Sequence, residues 1–213
     1  MPQNQTQQLG AEKLSAEQLP DPRPWYARSR EQMAGLVALV GPEHLDDPTP
    51  CTEFAVRTLL AHIVGACNKW AALGEGGDEL VLRPTVSGVP DDGWIAAYDE
   101  ASGWVAKAWA GDDRMEAVIT VPWGAAQGRF ALPGFVLETV THSWDLARAL
   151  GGDTTDRLDD ELAEYALEFA RNALPVDRRG EQVPFGQVRE VADDATAYDR
   201  LAGWLGREPG WTA

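Results

Sequence analysis

Sulfur and imidazole are scarce in this chain of 213 residues, which holds two cysteines and three histidines. Cys51 and Cys67 cannot build a disulfide framework, so a scaffold stapled by bridges is excluded and a reducing, cytoplasmic setting is expected. Basic charge is short too: 18 Lys and Arg face 34 Asp and Glu, a formal net charge of −16. A nucleic-acid or anionic-membrane surface is gripped by clustered Lys and Arg, and no such cluster occurs; neither partner is expected. Long apolar runs are absent as well, none approaching the roughly 20 residues that span a bilayer. The opening stretch Met1 to Gly10 is polar and glutamine-rich, without the basic and apolar segments of a signal peptide.

What is present is ordinary for a globular protein, with 44% apolar and 24% charged residues, and the length suits one domain with a real core. Residues 1–24 are polar and end in Pro20-Asp21-Pro22-Arg23-Pro24, which predicts a flexible lead-in. Apolar residues at helical spacing follow through Trp25, Met33, Leu36, Val37 and Val40, until Gly41-Pro42 stops the pattern. After the loop Asp46 to Pro50, Thr52 is a plausible N-cap for a second helix that runs through Leu59, Leu60, Ile63, Val64 and Cys67 to about Leu73. A third helix is expected from about Asp92 to Ala110, burying Trp94, Ile95, Tyr98, Trp104, Val105 and Trp109.

Alternation in Met115 to Trp123, then Gln127 to Leu132 beyond a Gly-Ala turn, predicts a short hairpin. A fourth helix should open near Pro133-Gly134 and close at Gly151-Gly152. Shorter helices are expected over about Asp159 to Ala173 and Ala195 to Leu205, separated by a mixed segment from Pro175 to Asp194. The expected fold is mainly α: a four-helix bundle over residues 25–152 with a small β-hairpin, and a C-terminal helical extension over 153–213 packed on it.

The chemistry falls on the histidines. His44 lies in the polar stretch Gly41 to Leu45 and reads as an exposed loop residue. His62 and His142 lie inside apolar helices. Glu138 and His142 are four residues apart and therefore stack on one helical face. An H-E-x-x-H helix uses the same spacing to offer two ligands to one zinc, and His62 can supply a third from the second helix. Three protein ligands with a position left open is the pattern of catalytic rather than closed structural sites. Spacing alone leaves the alternative that Glu138 and His142 are simply a side-chain pair. Asp145, three residues beyond His142, reads equally as a group that orients a ligand and as an ordinary polar helix residue; Lys69, seven residues beyond His62, reads first as a solvated lysine and second as a partner for a substrate carboxylate. Cys67, five residues from His62, points away and reads as a core thiol.

Three motifs carry a resemblance. Thr49-Pro50-Cys51-Thr52-Glu53-Phe54 with Leu59-Leu60-Ala61-His62-Ile63-Val64-Gly65 resembles the N-terminal signature of the mycothiol-dependent maleylpyruvate isomerase family of the DinB-like superfamily. Glu138-Thr139-Val140-Thr141-His142-Ser143-Trp144-Asp145-Leu146 resembles its second signature. Val183-Pro184-Phe185-Gly186, Asp193 to Leu201 and Leu205-Gly206-Arg207-Glu208-Pro209 resemble the ending of a shorter actinobacterial metal-binding subgroup. The resemblance implies a DinB-like four-helix bundle in which His62, Glu138 and His142 hold one divalent metal ion, zinc above nickel or another transition metal. It implies mycothiol as cosubstrate, a small electrophile as substrate, and a thiol-dependent transferase or isomerase; monomer and homodimer are left equally open by the sequence. In that reaction a metal-activated thiol is the nucleophile, and activated water would instead give hydrolysis. A metal-binding protein without turnover, and a hydrolase or cyclase-like enzyme of secondary metabolism, are the competing readings. Trp123-Gly124 would stand at the pocket rim.

Overall fold

A computed structural model describes residues 20–77, 84–121, 124–176, 179 and 185–212. Four long helices, α1 (Arg23–Val37), α2 (Val56–Gly74), α3 (Trp94–Ala108) and α5 (Gly128–Leu150), form the bundle. Each packs on two others, so that around the bundle the order is α1, α3, α2, α5. Between α3 and α5 lie a short helix α4 (Asp112–Glu116) and the hairpin β1 (Val118–Val121) and β2 (Gly124–Gln127), paired antiparallel from Val118 with Gln127 to Val121 with Gly124. After α5, helices α6 (Asp160–Ala173) and α7 (Ala197–Trp204) pack on one another and on α5. The architecture is the mainly α bundle with a small hairpin and additional C-terminal helices that the apolar spacing predicts.

The core is one continuous cluster running from Tyr26, Met33 and Leu36 through Leu59, Leu60 and Tyr98 to Leu132 and Val136. At its centre the rings of Trp70 and Phe135 stack at 5.1 Å, with Tyr26 on Phe135 at 5.6 Å. His62 meets His142 edge-on at 5.1 Å. The contacts pair 62 with 142 and 70 with 135, so α2 and α5 run antiparallel. The histidines therefore lie about 10–12 Å along the helices from the aromatic cluster, at 1.5 Å per residue.

Several expectations need correction. The first helix begins at Arg23, not Trp25, and Arg23 ties the chain to Asp112 of α4 at 2.8 Å. Thr52 does not cap α2, which begins at Val56 after Ala55. The loop itself supplies the acceptors: Val56 N–H donates to Asp47 O at 3.0 Å and Arg57 N–H to Leu45 O at 2.8 Å. With the first amides satisfied by backbone carbonyls, no side-chain cap is required.

The fourth long helix opens at Gly128, so Gln127 to Leu132 is mostly helix, and Pro133 lies inside it. In this second turn the proline forfeits only the bond its amide would make to Arg129 O, a local cost that the packed flanking turns tolerate. A side chain at Gly128 would meet Arg114 O at 2.0 Å, so glycine lets the hairpin turn directly into the helix. Trp104 is exposed on α3, its indole N–H donating to Glu75 Oε1 at 2.7 Å, while Trp94 and Trp109 are buried as expected. His44 is half-buried in a single 3-10 turn (Pro42–His44), where Nδ1 accepts the Gly41 N–H at 3.0 Å. Trp123, Val183 and Pro184 lie outside the described residues.

Candidate metal centre

Helices α2 and α5 bring His62, Glu138 and His142 to one place, with one donor atom of each lying within 4.8 Å of the others. The histidine side chains are nearly closed off, at 8% exposure for His62 and 10% for His142, while Glu138 keeps 30% and marks the open side. His62 Nε2 lies 3.2 Å from Glu138 Oε1.

Each imidazole is oriented through its other nitrogen. His62 Nδ1 stands 3.0 Å from Pro84 O, and since a carbonyl only accepts, Nδ1 carries the hydrogen. Gly65, three residues beyond His62, allows this: a side chain there would meet the Pro84 backbone at 2.7 Å. The same segment is pinned by Val86 N–H donating to Ala61 O at 3.1 Å. Phe54, from the loop before α2, covers His62 with a ring separation of 5.3 Å. His142 Nδ1 donates to Asp145 Oδ2 at 2.9 Å, and Asp145 is completely buried. Arg207, after α7, donates to both oxygens of Asp145 at 2.7 and 2.8 Å.

The electrostatics follow from these contacts. Burial lowers the pKa of His142, and the hydrogen bond and charge of Asp145 only partly offset it, so the ring is neutral at neutral pH with a free lone pair on Nε2. Burial pushes the Asp145 carboxyl up, but the charge of Arg207 and the bonds from His142 and Arg207 outweigh it and hold the group below its ordinary value. Glu138 is likewise raised by desolvation and brought below its ordinary value by His62, with His142 and Lys69 adding. Lys69 is half-buried on α2; burial lowers its pKa, and the nearby Glu138 charge works against that shift. Cys67 is a buried core thiol pushed far up by burial and further by Glu138.

The donor set fits a divalent ion. With His62 Nδ1 committed as a donor, Nε2 is the nitrogen left to face Glu138, where the two can share a cation. Two donors at about 2.0–2.1 Å from one tetrahedral ion stand about 3.3 Å apart, close to the observed separation of His62 and Glu138. Two imidazole nitrogens and one carboxylate suit zinc and its neighbours among the transition metals.

Comparisons with known proteins agree with the fold. Residues 26–147 match the family model described as the mycothiol maleylpyruvate isomerase N-terminal domain. Two Mycobacterium tuberculosis proteins, "Uncharacterized protein MT0763" of strain CDC 1551 and "Uncharacterized protein Rv0738" of strain H37Rv, are each 32% identical over 190 residues, covering 88% of this chain and 98% of the relative. A crystal structure of a mutant mycothiol-dependent maleylpyruvate isomerase superposes with a TM-score of 0.54 at 13% identity, over 71% of this chain and 70% of that one. The fold and the matched region define a DinB-like helix bundle. The chain belongs to the mycothiol maleylpyruvate isomerase N-terminal domain family.

Sequence reasoning selected the three converging residues and Asp145. It misses Pro84, whose contribution is a backbone oxygen, and gives no role to Arg207, although Leu205-Gly206-Arg207 belongs to the third motif. Among the described residues, no helix is long and apolar enough to cross a membrane.

Proposed function

We propose that the chain is a metal- and thiol-dependent transferase or isomerase acting on a small electrophile. Mycothiol is the expected cosubstrate, because the family carries that thiol in its name. The observation that carries the reading is the convergence of His62, Glu138 and His142 within 4.8 Å, two of them oriented through their second nitrogens. These three residues would hold one divalent ion, with zinc the first choice for such ligands. When bound, the ion would supply the positive charge that favours a cosubstrate's thiolate over its thiol at neutral pH.

The chain's own residues bind, orient and exclude water. Pro84 O and Asp145 fix the two rings, so neither Nδ1 is free to carry protons for the substrate. Phe54 and the packed helices shield the imidazoles, leaving the Glu138 side as the approach for ligands. Lys69 offers a half-buried cation close enough to Glu138 to feel its charge, suited to a substrate carboxylate. A thiolate that adds to one carbon of an activated C=C bond sends the π electron pair onto the activating carbonyl; protonation of the other carbon leaves the adduct as S-transfer, whereas rotation about the former double bond and return of the electron pair, which expels the thiolate, gives cis–trans isomerisation.

Calorimetric titration of the zinc-loaded protein with mycothiol tests this reading. Binding should release protons, because the thiol's pKa near 8.5 keeps it mostly protonated in free solution at neutral pH. Heats measured in buffers of different ionisation enthalpy count those protons. Binding without release would contradict thiolate chemistry. No binding would favour metal-dependent hydrolysis or metal binding without turnover.

A further inference from the structure

We infer that Arg207 is a positioning residue of the metal centre, acting through Asp145 to hold the His142 ring. The inference rests on the reading of His62, Glu138 and His142 as metal ligands.

Arg207 lies 62 residues beyond Asp145, on the segment that follows α7. Its Nε donates to Asp145 Oδ1 at 2.7 Å and its terminal Nη2 to Oδ2 at 2.8 Å, a two-point fork that fixes the plane of the carboxylate. Oδ2 of the same carboxylate accepts from His142 Nδ1 at 2.9 Å. Fixing the carboxylate plane therefore fixes the ring, and leaves Nε2 as the nitrogen free to meet a ligand shared with Glu138. The three side chains are closed to solvent, at 12% exposure for Arg207, 0% for Asp145 and 10% for His142.

Tethering the C-terminal segment does not account for this arrangement, because the segment has other anchors. Arg207 N–H donates to Ala202 O at 2.9 Å, Arg148 donates to Pro209 O at 2.5 Å, and Arg189 pairs with Glu208 at 3.6 Å. Gly206, at φ +85°, makes the inward turn and packs so closely on Gly186 that a side chain would come within 2.6 Å of its backbone. A buried guanidinium and carboxylate carry a heavy desolvation cost, so this pair is poor support for stability alone. Its target is the carboxylate that meets a candidate ligand.

The test compares Arg207→Met, Arg207→Lys and Arg148→Met in the full chain. Zinc affinity is measured by competition with a chromophoric chelator, ligand geometry by the visible absorption of the cobalt(II)-loaded protein, and stability by apoprotein melting. Loss of an outer partner of a ligating histidine typically weakens binding about 10–100-fold, and Arg207→Met should fall in that range with an altered cobalt spectrum. Arg207→Lys keeps the buried charge without the fork, so its affinity should be intermediate and its cobalt spectrum still altered. Arg148→Met cuts a different anchor of the same segment; it should melt earlier yet bind zinc within about threefold of wild type. The inference is overturned if Arg207→Lys, or a folded Arg207→Met, has wild-type zinc affinity and cobalt spectrum. It is also overturned if Arg148→Met weakens zinc as much as the Arg207 variants do. Wild-type protein that binds no zinc would remove the metal reading itself, and this inference with it.

Discussion

His142 is held by Asp145 one helical turn away, Nδ1 donating to Oδ2 over 2.9 Å, while His62 on the facing helix is held by a backbone carbonyl. The two rings are thus oriented by unlike partners, and their Nε2 atoms are left for the space beside Glu138. This gives the centre two separable supports, one in the 84–86 segment and one on α5.

The first support predicts the effect of Gly65→Ala. The added methyl would stand 2.7 Å from the Pro84 backbone and must displace it. Overpacking of this kind costs about 1–3 kcal/mol, and the displaced segment carries the acceptor for His62 Nδ1. Chemical denaturation should show that loss, and chelator competition should show weakened zinc binding. A variant as stable as wild type, with unchanged zinc affinity, would contradict the close packing described.

Charge predicts the behaviour of Glu138→Gln. Two neutral imidazoles and one carboxylate leave a divalent ion with one net positive charge, which a thiolate cancels. Glutamine keeps the size but leaves two positive charges and a weaker ligand. Zinc affinity should fall by at least about tenfold, since even outer partners are worth that much, and mycothiol affinity should change in the same variant. Calorimetry measures both. Unchanged zinc affinity would remove Glu138 from the ligand set.

The shift of His142 predicts a pH dependence for the apoprotein. Its folded pKa is depressed, first by burial, so folding favours the neutral ring. Its contribution to stability is therefore complete above the unfolded value of about 6.5 and is lost as pH falls through the lower folded value. Asp145 has the same sign at more acid pH: its contribution is complete above about 3.9 and is lost as pH falls through its depressed folded value. Urea midpoints for metal-free protein between about pH 8 and about pH 5 should fall on the acid side, more steeply in wild type than in His142→Asn. Equal slopes in the two proteins would contradict the assignment.

Cys67 should be inert in the folded protein. It is 2% exposed, and burial pushes its thiol far above the usual range, so little thiolate exists at neutral pH. A thiol-reactive chromogenic reagent should detect no more than one fast thiol in native protein and two after denaturation. Two fast native thiols would show that the bundle opens around α2.

Much of the fold was legible because α2, α3 and α5 carry apolar residues at helical spacing, and because Glu138 and His142 share a face by simple periodicity. What escaped depends on contacts distant in the chain or made by backbone. Thr52 looked like a cap, but Asp47 O and Leu45 O already satisfy the first amides of α2. Pro133 looked like a helix start, because the tolerance of the surrounding packing for a proline in the second turn has no local signal. Trp104 looked like core, although its partner is Glu75, and an aromatic at helical spacing does not reveal which neighbour it meets. Arg207 reaches Asp145 across 62 residues, a pairing that only the folded chain brings together.

Metal analysis of protein purified without chelator, for wild type, His62→Ala and His142→Ala, tests the metal centre most directly. Close to one divalent ion per wild-type chain is expected, with loss of that ion in each variant and helical circular dichroism retained. Full metal content in both variants, or none in wild type reconstituted with zinc, would remove His62 and His142 as ligands.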